Sequence, residues 1–404
     1  MEILYFGTVC NLTSYEKLLK NCDVKPSIAS IIFEAALLNG FSSNDVSIEI
    51  HSFPMIPPYS QSKLLYFGGQ REILPCGYTC HWLNTINLPI CKQLSRRIDA
   101  RQVIKRWAKK YADNGIILTY SIPPFLVKDI ITYAKQFKIK TVAIVTDLLR
   151  DMYINVPHNS LEYKLKTLYL NPAVRRQGEY DAYIYVTEAM HGIVAPDKPY
   201  MVMEGIANIE TFKEKRQKEK NTKKAIMYAG LLCEKYGTIN LLDAFQMLGL
   251  PSVELWLFGD GPAVPEILER AKNNPQIRYF GNIPHKDLLD YESEATLLVN
   301  PRDPRDSFTQ YSFPSKTIEY MLSGTPLLTS HLKGIPEEYF NYTFTIDTNR
   351  PEDLAEGIQS ALFCSNRELE EKGLAAQEFI VENKNSVIQA TRVLAFLQET
   401  MMNE

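Results

Sequence analysis

Short apolar runs alternate with longer amphipathic stretches along most of the chain. In the first half this pattern predicts strands at 2–8, 46–53, 115–121, 140–147 and 182–187, with helices near 27–39, 91–112, 124–137 and 161–177. The first of these helices is expected to end on Gly40, where glycine can take a left-handed cap. The pattern then restarts. Strands are predicted at 224–230, 253–261, 276–281, 295–301, 325–330 and 342–347, with helices near 238–247, 262–272, 286–291, 314–323 and 351–364, and a last one at about 385–400. Alternation of this kind marks βαβ units and parallel sheets. The expectation is an α/β chain of two Rossmann-like halves joined near 200–222, with no internal repeat of 20–50 residues. The stretch Lys213 to Lys224 carries seven bases and two acids and reads as a solvated linker or face.

Length agrees, since 404 residues exceed one core and suit two. A hydrophobic content of 45% with 23% charged residues describes a soluble globular protein. The net charge of -3 gives no general attraction for nucleic acid. No run reaches eighteen apolar residues, so no spanning helix is expected. The opening "MEILYFGTVC" lacks a basic start and cleavage site and reads as a buried strand. Seven scattered cysteines suggest reduced thiols and a cytoplasmic location. Cys76, Cys80 and His81 lie close together, but their spacing fits neither a zinc ribbon nor haem attachment, so they read as loop and core groups.

Several chemistries lack their usual motifs. The first strand turn, "FGTVCN", has one glycine where a dinucleotide fingerprint needs three. Neither a P-loop nor a Gly-x-Ser-x-Gly elbow occurs. What remains is a set of glycines at predicted strand ends, namely Gly7, Gly230, Gly259, Gly261 and Gly281. Ligands of open α/β sheets bind at those ends, and glycine lets a phosphate approach the backbone. Any one of them could equally serve a tight turn.

The stretch "SFPSKTIEYMLSGTPLLTS" places Glu319 beside an apolar stripe of Ile318, Met321 and Leu322. Pro314 suits a first helical turn, and Ser312 or Ser315 could cap it. Free first-turn amides would favour an anion. A half-buried carboxylate needs hydrogen bonds, which two ribose hydroxyls would supply; the alternative is a surface Glu in a favourable dipole position.

The second half resembles the donor domain of retaining family 4 glycosyltransferases of the GT-B fold. The likeness rests on "YAGLLCEKYGTINLLDAF", "LWLFGDGP", "YFGNIPHKDLLDYESEATLLVNP" and "EYMLSGTPLL", and is continuous over about 180–385. The combination of "SFPSK", "EYMLSGTP" and "KYG" is most similar to bacterial exopolysaccharide and capsule transferases. The resemblance implies two Rossmann-like domains facing across a cleft: an acceptor domain at 1–204, completed by 385–404, and a donor domain at 205–384. It also implies a retaining, metal-independent transfer with no cofactor, from a nucleotide sugar expected to be UDP-linked.

Glu319 matches the family's ribose-binding Glu, the second of a Glu-x7-Glu pair. The first would fall at Tyr311, and an Arg that meets the diphosphate is replaced by Leu231. Lys235 is implied as the diphosphate cation, with Lys316 able to supply the lost charge or to stand solvated in the first turn. Gly7, Thr8, Gly230, Gly259, Ile283, Arg302, Tyr311, Ser312, Phe313 and Ser315 complete the implied donor site. Asp147 is the polar strand end implied to serve the donor sugar or acceptor, with a helix cap as the bland alternative.

The predicted helix 91–112 holds eight Lys/Arg against one Asp, with Leu94, Ile98, Val103 and Trp107 between them. It reads as a surface for the inner membrane leaflet, suited to a lipid-linked saccharide acceptor, or as an ordinary helix packed inward. Two other functions stay open. A GT-B-fold UDP-sugar epimerase would need acid/base groups around the sugar. A non-catalytic nucleotide-sugar-binding partner of another transferase would fit the departures at Tyr311 and Leu231.

Overall fold

The computed structural model describes residues 1–23, 26, 28–150, 160–209 and 224–402. The expected linker lies outside them but for Lys224. The chain divides into two compact units, Met1–Ile206 with Ser386–Glu404, and Ala207–Asn385.

The first unit is built on β1 (Glu2–Gly7), β2 (Ile48–Ser52), β3 (Tyr66–Phe67), β4 (Arg71–Ile73), β5 (Thr79–Trp82), β6 (Thr85–Ile86), β7 (Gly115–Tyr120), β8 (Lys140–Val145), β9 (Ala182–Tyr185) and β10 (Tyr200–Val202). Eight of these form one sheet in the order β10-β9-β8-β7-β1-β2-β5-β4, and β3 pairs β6 separately. All sheet pairs are parallel except β4 with β5. Strands β1, β7 and β8 are buried nearly throughout, which is why they read as unbroken apolar runs. The helices are α1 (Leu12–Leu19), α2 (Ala29–Ser43), α3 (Cys91–Lys110), α4 (Val127–Phe137), α5 (Leu161–Arg176) and α6 (His191–Val194). Helix α2 does not stop at Gly40. It runs on to Ser43, and Gly40 sits where a β-carbon would lie 2.0 Å from the carbonyl oxygen of Ser386, so its role is close helix packing rather than capping. All seven cysteines are free thiols.

The second unit carries β11 (Lys224–Leu231), β12 (Val253–Asp260), β13 (Ile277–Gly281), β14 (Leu297–Asn300), β15 (Leu327–Ser330) and β16 (Phe344–Ile346). They form a fully parallel sheet in the order β13-β12-β11-β14-β15-β16. Its helices are α7 (Thr238–Leu248), α8 (Val264–Asn273), α9 (His285–Glu294), α10 (Lys316–Leu322), α11 (Pro351–Phe363) and α12 (Asn366–Asn383). The last helix of the chain, α13 (Ser386–Met402), adds Ala390, Val393 and Leu397 to the core of the first unit.

Strand order reverses direction between β1 and β7 in one sheet and between β11 and β14 in the other. Such switch points leave a crevice at the carboxyl ends of the strands, where helices depart to opposite faces. Gly7 and Thr8 end β1, Gly230 lies at the end of β11, and Pro301 and Arg302 follow β14. These are the places to look for ligand chemistry.

Candidate functional site

In the second unit two helices bring four ionisable groups together. His285 and Glu292 stand seven residues apart, hence on one face of α9; Lys316 and Glu319 stand three apart on α10. The Lys316 ammonium donates to Glu292 Oε1 at 3.1 Å and to Glu319 Oε1. His285 Nε2 lies 3.1 Å from Glu319 Oε2. Glu292 is fully buried, while the side chains of Glu319, His285 and Lys316 keep 17%, 25% and 26% of their surface, so only these three can meet a ligand.

Anchors on either side hold this cluster. Tyr291, next to Glu292, packs on Trp256, Phe258 and Phe280, which pins α9 to β12 and β13. The Tyr320 hydroxyl, next to Glu319, accepts from the amide of Ala229 at 2.8 Å and donates to its carbonyl at 3.2 Å. Helix α10 is thereby tied to the end of β11.

The electrostatics follow from burial and charge. Burial alone would push the Glu319 carboxyl up, but the adjacent Lys316 charge and the contact with His285 outweigh it and hold it far below the carboxylate range. Burial would lower Lys316, yet the charges of Glu292 and Glu319 raise it. Glu292 is pushed well up by burial and by the neighbouring Glu319 charge. Glu319 is thus an ionised, partly open carboxylate. Each of its oxygens meets one protein donor and keeps a further lone pair.

Three expectations about this helix change. Ser315 makes no side-chain cap, and the Ser312 hydroxyl instead meets Arg302 Nη1 at 3.5 Å. The ammonium of Lys316, expected either to face phosphate or to stand solvated, is held between two carboxylates. Phe313 is buried and packs edge-on against Tyr339.

A second group of cations lies near the switch point. Lys235 Nζ stands 4.0 Å from the centre of the Phe308 ring, and the Arg302 guanidinium 4.5 Å from that of Tyr236. The two rings are 6.0 Å apart, so the four side chains form one aromatic–cation array. Gly230 and Gly259 are neighbours in register across β11 and β12, and a β-carbon at Gly259 (φ 117°) would lie 1.9 Å from the Gly230 carbonyl oxygen. Their first duty is to let the two strand ends approach. Ile283 lies half-buried in the turn from β13 to α9, and Tyr311 is half-buried before α10.

In the first unit the strand end is already occupied by a side chain the sequence reading passed over. Glu34 of α2 is fully buried and accepts from the Tyr5 hydroxyl at 2.7 Å, the Thr8 amide at 2.9 Å and the Thr8 hydroxyl at 2.5 Å. A β-carbon on Gly7 would fall 1.8 Å from Glu34 Oε2, so glycine is required there by the carboxylate. Thr8, expected to face donor phosphate, gives both its donors to Glu34. Burial drives the Glu34 carboxyl up to about 7 against the pull of the Thr8 and Tyr5 hydrogen bonds. Ser121, just past β7, holds a left-handed backbone (φ 62°) without being glycine, a strained position at this same switch point. Asp147 is exposed after β8 and accepts from Thr146 Oγ1 at 3.2 Å.

Helix α3 divides its apolar residues between two faces. Val103, Ile104 and Trp107 are buried, whereas Leu94 and Ile98 are 52% and 53% exposed, continuing from Ile90 at 85%. Arg96 is not a surface charge: it is buried, with Nη2 on the Pro54 carbonyl and Nε on Thr85 Oγ1. Among the described residues no helix is long and apolar enough to cross a membrane.

Residues 223–363, which contain the Glu319 cluster and the aromatic–cation array, match the glycosyl transferases group 1 family. The search of curated proteins returned no match. Solved structures align over nearly the whole chain. A sucrose-phosphate synthase from Thermosynechococcus elongatus is 15% identical, with all of each chain covered and a TM-score of 0.66. A glycosyltransferase from Rickettsia africae gives 13% identity, coverage of 100% and 99%, and a TM-score of 0.66. The Anabaena protein HepE in complex with UDP gives 13% identity, coverage of 99% and 100%, and a TM-score of 0.63. The chain therefore has the GT-B fold, and its residues 223–363 resemble the glycosyl transferases group 1 family.

Proposed function

We propose that this protein transfers a sugar from a nucleotide sugar, with UDP as carrier, to a saccharide or lipid-linked acceptor in surface polysaccharide synthesis. The observation that carries the reading is Glu319, kept ionised by Lys316 and still open on one side. A carboxylate of this kind binds a cis-diol through both oxygens, which suits ribose. That similar solved structures include one in complex with UDP supports the choice of nucleotide.

In this scheme Lys235 and Arg302, aligned on Phe308 and Tyr236, meet the diphosphate. As the sugar–phosphate bond loosens, negative charge grows on the departing nucleoside diphosphate, and fixed cations stabilise it without reorganising. The acceptor hydroxyl attacks the same face of the sugar and passes its proton to the leaving phosphate, so configuration is retained and no metal is needed. Asp147 assists the donor sugar or acceptor from the first unit. The exposed stripe Ile90, Leu94 and Ile98, beside Arg101 and Lys105, rests on an anionic lipid surface at the cytoplasmic face.

Incubation with radiolabelled UDP- and GDP-sugars, with and without bacterial lipid extract, tests the reading. Release of UDP only with acceptor is the expected result. Interconversion of free UDP-sugars would identify an epimerase instead, and binding without turnover a non-catalytic partner.

A further inference from the structure

Glu292 presents a problem that the donor site, as described, does not solve. It is fully buried, yet only one of its oxygens has a partner: Oε1 takes the Lys316 ammonium, while Oε2 meets no donor. An ionised carboxylate left half-satisfied in this way is costly. Lys316 cannot neutralise it, because the same ammonium also serves Glu319. With both carboxylates ionised, Glu292, Lys316 and Glu319 together would carry a net negative charge at the very place proposed to receive a nucleoside diphosphate. Two carboxyl groups sharing one cation settle this by keeping one proton between them. Burial and the Glu319 charge both assign that proton to Glu292. Lys316, Glu319 and Tyr320 on α10 act on it directly, His285 on α9 meets Glu319, and Tyr228 on β11 faces Lys316; the Tyr320 hydroxyl is fixed on the Ala229 backbone and supplies no proton to the pair.

We propose that Glu292 is a positioning residue of the donor site, held as a neutral carboxylic acid that accepts from Lys316 and donates its own proton to Glu319. Its carbonyl oxygen orients the ammonium, and its hydroxyl steers Glu319, whose remaining lone pairs turn to the ribose. Glu292, Lys316 and Glu319 are then electrically neutral together, with Glu319 as the ionised carboxylate. The inference rests on the donor-site reading for its function, but not for the location of the proton.

Two variants separate the alternatives. Glu292→Gln copies a neutral acid, since its amide oxygen accepts from Lys316 and its NH2 donates to Glu319; Glu292→Leu copies neither. UDP affinity by calorimetry is expected to stay within about threefold of wild type in the Gln variant and to fall roughly 10–100-fold in the Leu variant. Infrared difference spectra of ligand-free protein should show a buried protonated-carboxyl band that Glu292→Gln abolishes. Gln binding as weakly as Leu, or a band unchanged in the Gln variant, would overturn the proposal by marking Glu292 as an anion or the proton as belonging elsewhere. Should the Leu variant not fold, the wild-type and Gln comparison decides alone. If wild-type protein binds no UDP, the donor reading fails, while the infrared band still decides where the proton sits.

Discussion

Both units bury a carboxylate near the switch point of their sheet, and they stabilise it by opposite means. Glu34 in the first unit is held by neutral donors alone, the Tyr5 and Thr8 hydroxyls and the Thr8 amide. Its carboxyl is pushed up to about 7. Glu319 in the second has an ammonium against it and is held far below the ordinary range. Three hydrogen bonds therefore do not replace the hydration of a buried anion, and one adjacent cation more than does. The difference separates a structural group from a group that can receive a ligand: Glu34 has its lone pairs filled from within, Glu319 keeps some open.

The strongest way to break the contrast is to take the cation away. Lys316→Met leaves Glu319 and Glu292 facing each other with no counter-charge. The second unit is expected to lose on the order of 3–5 kcal/mol at neutral pH, the range for an orphaned buried ion pair. Hydrogen exchange resolved by unit measures this without assuming that the two units unfold together. A loss below about 1 kcal/mol would mean that Lys316 is not what holds Glu319 ionised.

Glu34→Gln tests the other side. The folded-state value of Glu34 lies above its unfolded value of 4.5, so its contribution is fully present below pH 4.5 and is lost as pH rises toward 7. A shift of that size corresponds to roughly 3 kcal/mol by pH 8. The Gln variant should flatten this slope, with a stability difference from wild type that grows between pH 5 and pH 8 in favour of Gln. An equal difference at both values would show that Glu34 does not titrate in that window.

How far these carboxylates were readable in the sequence differs for a physical reason. The strands were legible because a parallel sheet buried on both sides demands unbroken apolar runs, and 2–8, 115–121 and 140–147 supply them. Glu319 was legible as a lone charge beside an apolar stripe. Glu34 carries the same signal, one acid inside "SIIFEAALL", and the same reasoning applied there would have found it. Glu292 had no such mark: "LLDYESEA" reads as a solvated helix face, and only the packing of Tyr291 on Trp256 and Phe280 turns it inward. Helix α12 went unread although "SNRE" spells the capping box that Ser365 and Glu368 form. Arg96 looked like its basic neighbours, and nothing local distinguishes a guanidinium that reaches the Pro54 carbonyl from one in water.

The smallest expected effects sharpen the comparison through two tyrosines. Tyr320→Phe removes the hydroxyl that bridges the amide and carbonyl of Ala229, both neutral partners. Its cost, about 1–2 kcal/mol, should not change between pH 5 and pH 8. Tyr5→Phe removes a donor to Glu34, whose charge changes across that interval. A hydrogen bond to an ionised carboxylate is worth more than one to a neutral acid, so this variant should cost about 1 kcal/mol more at pH 8 than at pH 5. The two single-atom deletions thus differ in pH dependence while resembling each other in size. If both losses prove flat with pH, Glu34 is in one protonation state throughout, and the contrast between the two buried carboxylates reduces to one of location.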